Sequence, residues 1–233
     1  MKDLFGKAIL DYLTHNSPEN LITETSISDE EEMSVAYLFR SFDEMPKIEQ
    51  KALQLTKGMV LDVGCGSGTH SLYLQEKGFN VTSIDVSENA IKACKLRGIK
   101  KAKVQDILTL ENEKYDTILL LMNGTGIFGT LENCSKYLLK LKSLLNENGQ
   151  VLIDSSDIIY MFDKDEDGAY EVSANYYYGE LTFTVQYKGE TEDSFPWLYL
   201  DYNTLQNACL ANGLECELIL EGEHFDYLAK ITK

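Results

Sequence analysis

An apolar strand that passes through an acid into three alternating glycines limits what this chain can become: Val60-Leu61-Asp62-Val63-Gly64-Cys65-Gly66-Ser67-Gly68-Thr69. A second apolar stretch, Val81-Thr82-Ser83-Ile84, stops on Asp85. A strand, a glycine turn, a helix and a second strand capped by an acid form half of a doubly wound α/β crevice. In such a crevice the turn lies against a nucleoside and the acid accepts from its ribose hydroxyls.

The same alternation runs on either side of the motif. A helix begins at Pro46, where a missing N–H costs nothing, and stops at Gly58. A helix through Leu72 and Leu74 ends at Gly78, and one carrying Ile91 and Cys94 ends at Gly98. Ala102 to Gln105 reads as a short third strand before Asp106, and Tyr115 to Leu121 as a fourth whose continuous apolar run requires cover on both faces. A helix striped by Leu131, Cys134, Leu138, Leu141 and Leu145 leads to a fifth strand, Val151-Leu152-Ile153-Asp154. A helix around Leu205 to Leu210 then precedes two strands, Glu215 to Leu220 and Asp226 to Ile231. Their connection is too short for a right-handed crossover, so the pair is expected to be antiparallel.

Two segments stand outside this alternation. Residues 1–44 are expected to form a helical cap, with Leu4, Phe5, Ala8, Ile9, Tyr12 and Leu13 at helical spacing. Asp29-Glu30-Glu31-Glu32 is expected to open a second helix, where acids meet the positive dipole end. Residues 155–200 form a tyrosine-rich insertion, expected to contain a hairpin in which Gly179-Glu180 joins Tyr176-Tyr177-Tyr178 to Leu181–Val185. The reading is one domain: cap 1–44, core 45–154, insertion 155–200, and a C-terminal helix and strand pair 201–233.

Charge narrows the partners. With 38 acidic against 21 basic side chains the net charge is −17, which repels a phosphate backbone and disfavours nucleic acid. The basic run Lys92, Lys95, Arg97, Lys100, Lys101 and Lys103 is read as a solvated face. Five cysteines without a CxxC pair fit a reduced, cytoplasmic protein, and neither a signal peptide nor a membrane span is expected.

The glycine spacing separates two nucleotide chemistries. A dinucleotide turn needs GxGxxG, but the position of its third glycine, counted from Gly64, is Thr69; the pattern here is GxGxG. With Asp62 before the turn and Asp85 closing the second strand, residues 59–154 closely resemble the S-adenosylmethionine-binding core of class I methyltransferases. That resemblance implies a Rossmann-like seven-stranded sheet of order 3-2-1-4-5-7-6, with only the last strand antiparallel. It does not account for residues 1–45 or 155–200.

The resemblance also implies roles for individual residues. Gly64, Cys65, Gly66 and Gly68 would lie against the methionine and ribose portion, and Asp62 would meet the ammonium. Asp85, followed by Val86, would take both ribose hydroxyls. Asp106 would accept from the adenine amino group, with Ile107 supplying a backbone donor. Met122 and Asn123 match the position nearest the transferable methyl. Arg40, an isolated cation, is a candidate for the cofactor's carboxylate, with a surface salt bridge as the alternative.

A sulfonium methyl is already activated, so no metal is required and the protein has chiefly to position an acceptor. An amine or hydroxyl acceptor must also lose a proton. Candidates for that step are Asn123, His70 and His224, with Asp157 and Tyr160 also near strand ends. Asn123-Gly124-Thr125 lacks the paired prolines of methyltransferases acting on exocyclic base or glutamine amides, and no Pro-Cys nucleophile occurs. The leading expectation is methyl transfer to a small molecule, yielding S-adenosylhomocysteine. A non-catalytic cofactor-binding regulator and, less favoured, a nucleotide-dependent oxidoreductase are the alternatives.

Overall fold

The computed structural model describes residues 2–173 and 175–233. Strands β3 (Met59–Val63), β4 (Asn80–Asp85), β5 (Ala102–Val104), β6 (Tyr115–Leu120), β7 (Leu145–Ser156), β11 (Glu215–Glu221) and β12 (Asp226–Thr232) make the main sheet. Its order is β11-β12-β7-β6-β3-β4-β5, and β12 alone runs against the rest. This is the expected order and the expected antiparallel last strand.

Successive side chains of a strand face opposite sides, and this sheet buries both. Leu61, Ile118, Leu120, Val151 and Ile153 pack toward α5 (Cys134–Leu144) and α6 (Tyr202–Ala211). Val60, Leu119 and Leu152 pack toward α2 (Lys47–Leu55) and α3 (Thr69–Glu76). Each such fully buried leucine or isoleucine contributes about 1.5–3 kcal/mol by leaving water.

A second, smaller sheet sits on the carboxyl edge of the first. It joins β10 (Phe195–Leu198), β8 (Glu180–Tyr187), β1 (Leu21–Thr25) and β2 (Ser28–Met33) in that order, with β9 (Glu190–Thr191) paired to β8. Helix α1 (Leu4–Thr14) lies between this sheet and α4 (Glu88–Leu96), burying Leu4, Ala8 and Ile9 with Ala90, Ala93, Val185 and Tyr187. The Asp3 carboxylate accepts from the Asn89 amide at 3.1 Å, tying the start of α1 to the start of α4. The N-terminal segment and the insertion, remote in sequence, therefore make one layer.

Two expectations need correction. The helical cap holds α1 and two short 3-10 helices, Val35–Phe39 and Phe42–Glu44, but between α1 and these it is a strand pair: Asp29–Glu32 lies in β2, not in a helix. The acids are exposed along the sheet's edge, where charge blocks pairing with another strand, a stronger reason for the run than a helix dipole. The insertion hairpin turns at Lys188-Gly189 between β8 and β9, not at Gly179-Glu180. Tyr176–Tyr178 are not in a strand, because Tyr177 and Tyr178 direct their hydroxyls to Asp201 and Asp157.

Trp197 on β10 lies flat against the turn after β6. A methyl added at Gly126 would come within 2.0 Å of Trp197 Cε2, so Gly126→Ala is expected to destabilise the fold by about 1–3 kcal/mol. Urea unfolding measures it, and Trp197→Leu in the same chain should recover most of the loss; no recovery would place the strain elsewhere.

Candidate active site

The glycine turn is built by left-handed backbone. Gly66 and Gly68 have φ of +53° and +78°. A side chain at Gly68 would also come within 2.2 Å of Ile99 Cδ1 and 2.8 Å of Cys94 Sγ, so this glycine lets the turn pack onto α4. At Gly66 a methyl would find its nearest atoms at 4.0 Å, including Ile9 Cδ1 of α1. Those are ordinary contact distances, so the turn and α1 lie against each other at Gly66 without a clash.

Asp85 links the turn to the next helix. Its Oδ2 accepts from the Gly66 amide and its Oδ1 from the Ser87 amide, each at 2.9 Å. Burial raises its carboxyl above the ordinary range, against these amides, which favour the charged form. Each carboxylate oxygen has a further lone pair to offer. Val86 beside it is exposed. Asp62 is buried beneath the turn, taking a 2.6 Å bond from Ser71 Oγ, and burial raises its carboxyl too.

Cys65 is buried with its Sγ 3.8 Å from Cys94 Sγ. The interaction with Cys94, then burial, pushes its thiol well up, so it is an inert packing group. Asp106 is exposed after β5 and accepts from Leu108 N at 2.8 Å, while Ile107 is buried. Thr69, at the position where a dinucleotide turn has its third glycine, donates to Leu38 O at 2.7 Å; Ser67 Oγ donates to the same carbonyl. The segment preceding Arg40 is thereby fastened to the turn.

Arg40 and His70 meet at a residue the sequence reading passed over. Glu49 of α2, 3% exposed, accepts from Arg40 Nη2 through both oxygens and pairs with His70 Nε2 at 2.6 Å. Burial alone would raise its carboxyl; His70 and Arg40 outweigh that and hold it below the ordinary value. Arg40 is itself 7% exposed, stacks over the Tyr37 ring at 4.0 Å, and is no surface ion pair. Its Nε is the one buried side-chain nitrogen or oxygen without a partner among the described residues. An acid among the apolar, inward-facing positions of α2, beside Ile48, Ala52 and Leu53, was the signal available for Glu49.

Met122 and Asn123 end β6 with φ of +67° and +60°. The Asn123 side chain is bonded at both ends: Nδ2 donates one hydrogen bond, to Leu198 O at 3.3 Å, and Oδ1 accepts from Ser155 Oγ at 2.9 Å and Thr125 Oγ1 at 3.3 Å. His224 is exposed in the β11–β12 loop, on the same carboxyl edge, since Asp226 pairs with Ser156.

Asp154, also missed, is 4% exposed, and burial pushes its carboxyl up to about 7. Because this lies above the unfolded value, its contribution to stability is greatest below about pH 4 and is lost as pH rises through about 7. The stability of the protein relative to Asp154→Asn is expected to fall by on the order of 3–5 kcal/mol from pH 4 to 8. Urea unfolding across that range measures the difference; one that stays level or grows with pH contradicts it.

An acid between glycine turn and helix, a left-handed turn at Gly66 and a buried guanidinium with a donor to spare fit a nucleoside joined to an amino acid. A family model described as a methyltransferase domain matches residues 55–199. The chain belongs to this family. It is also 44% identical to a SAM-dependent methyltransferase from Bacteroides fragilis whose crystal structure holds S-adenosyl-L-homocysteine. That similarity covers 99% of this chain and 94% of the other, with a TM-score of 0.91.

Among curated relatives, a ubiquinone biosynthesis O-methyltransferase from Rickettsia typhi is 31% identical over 115 residues, 47% of this chain and 45% of its own. A glycine/sarcosine N-methyltransferase from Halorhodospira halochloris is 29% identical over 128 residues, 51% of this chain and 46% of its own. The chain thus spans about half the length of the curated relatives it matches. Among the described residues, no helix is long and apolar enough to cross a membrane.

Proposed function

We propose that the protein transfers the methyl group of S-adenosylmethionine to a small-molecule acceptor by in-line displacement, leaving S-adenosylhomocysteine. The observation that carries this reading is the turn itself, in which Asp85, at the end of β4, braces the Gly66 amide of the left-handed glycine turn. Asp85 would bind the ribose hydroxyls, and Asp106 with Ile107 the adenine. Asp62 would attract the ammonium, and Arg40 the carboxylate through the donor that Glu49 leaves free.

Bound there, the cofactor supplies a methyl already activated by its sulfonium. The chain's own work is to hold the acceptor in line and exclude water, where positioning can contribute about 7–11 kcal/mol in favourable cases. Trp197, against the turn after β6, and Tyr178, bonded to Asp157 at 2.8 Å, close that edge. His70 acts on Arg40 through Glu49. His224 and Asp157 stand where an acceptor's proton could be received.

The relatives' names span oxygen and nitrogen acceptors, and both relatives act in small-molecule chemistry by those names. The acidic surface supports the same class over nucleic acid. The protein is expected to work in the cytoplasm. The test supplies methyl-labelled S-adenosylmethionine and a deproteinised metabolite extract. Label is expected in a small molecule together with S-adenosylhomocysteine; label in added RNA or protein instead, or no transfer, refutes the reading. Trp197→Ala and Asn123→Ala are expected to lower transfer at least tenfold while cofactor affinity, measured by calorimetry, changes less than about threefold. Equal losses in both would remove these residues from the acceptor side.

A further inference from the structure

Two consecutive non-glycine residues, Met122 and Asn123, hold left-handed backbone at the end of β6. L side chains avoid this conformation, and methionine has no local hydrogen bond to offset it. Such a pair persists only where its surroundings fix it, and these cluster at functional sites. What fixes this pair is visible one strand away.

Asp154 on β7 accepts from the amides on either side of the strained stretch. Its Oδ2 takes Met122 N and its Oδ1 takes Gly124 N, both at 3.0 Å. The next residue continues the arrangement: Ser155 Oγ lies 2.6 Å from Thr125 Oγ1, donates to Asn123 Oδ1 and accepts from Leu200 N at 2.9 Å. Two successive β7 residues thus tie the β6 turn to the segment that follows β10. We infer that Asp154 is a positioning residue for methyl transfer, holding the Met122–Asn123 pair against the methyl-bearing end of the cofactor. The inference rests on the reading of this edge as the S-adenosylmethionine site.

No lysine or arginine bonds to Asp154, so what it does here is accept. The titratable groups around it are Glu49 of α2, His70 of α3, Tyr37 and Tyr227 of β12. Burial and Glu49 favour the neutral form, His70 and the two amides the charged one. Only the carboxylate accepts at both oxygens without a proton in the way, so the two bonds to the turn are strongest above neutrality, even though the buried charge costs the fold stability there. Asparagine keeps the shape but turns an NH2 toward one of the amides.

The experiment compares wild type with Asp154→Asn, using two probes that divide the site. Adenosine reads the nucleoside end alone, and S-adenosylmethionine reads the methyl end as well. In wild type the Met122 and Gly124 amide resonances are expected to titrate together near pH 7, and in the variant to show no such step. S-adenosylmethionine affinity should fall at least tenfold in the variant, with adenosine affinity within threefold. Equal weakening of both ligands, unchanged S-adenosylmethionine affinity, or wild-type amides that do not titrate would overturn the inference. Should Asp154→Asn not fold, Asp154→Glu, which keeps both acceptors but displaces them, takes its place in the binding comparison. Wild type binding neither probe would refute the site reading itself; both probes bound equally well by wild type and variant would refute only the role of Asp154.

Discussion

Replacing Asp85 by alanine is expected to weaken S-adenosylmethionine and S-adenosylhomocysteine by about thirty- to a thousandfold, equivalent to roughly 2–4 kcal/mol. The loss has two sources. The ribose hydroxyls lose a charged acceptor, and the Gly66 amide loses the carboxylate that braces the turn. The Ser87 amide loses an acceptor too, but the pairing of β4 with β3 and the bond from Ala90 N to Ser87 Oγ are made by other groups, so the folded structure should persist. Calorimetry giving unchanged affinity in a folded variant would remove Asp85 from the site.

Replacing Arg40 by alanine should remove the proposed partner of the cofactor's carboxylate and, in the unliganded protein, cost about 3–5 kcal/mol of stability. The variant removes the guanidinium from Glu49, leaving the buried carboxylate only its hydrogen bond with His70, and a buried carboxylate stripped of a charged partner is expensive. Adding Glu49→Gln should then return much of the loss, a coupling that a double-mutant cycle measures by urea unfolding. If the two changes are simply additive, the pair does not hold the segment at Arg40 to α2.

The core was legible because its signals are local. Val60–Gly68 and Val81–Asp85 each combine an apolar run with a residue whose position only one topology uses, and the strand order followed from the family resemblance they carried. The edge layer was not legible, because β1 and β8 pair across more than 150 residues. No local pattern separates such a strand from a helix start, so the acids of β2 were read by propensity alone. Glu49 and Asp154 were missed for a related reason: each is an acid whose meaning lies in partners from other elements. Asn123 was found by position, but its hydrogen-bond partners were not, since they lie on Thr125, β7 and β10.

The second layer also explains how the site is closed. Helix α1 comes within 4.0 Å of a methyl built on Gly66, and Leu38 O receives hydrogen bonds from the turn's own Ser67 and Thr69. A ligand on the turn would therefore touch both layers. Binding is expected to raise the stability of the whole chain by linkage, about 2.7 kcal/mol at a hundredfold excess over Kd.

The central claim is that this edge holds S-adenosylmethionine and not a dinucleotide, and titration calorimetry of the wild-type chain with three ligands tests it most directly. S-adenosylmethionine and S-adenosylhomocysteine are expected to bind at one site per chain and to compete with each other, with NAD binding far more weakly. Tighter binding of NAD than of either ligand, or no heat from S-adenosylmethionine with correctly folded protein, would contradict the account.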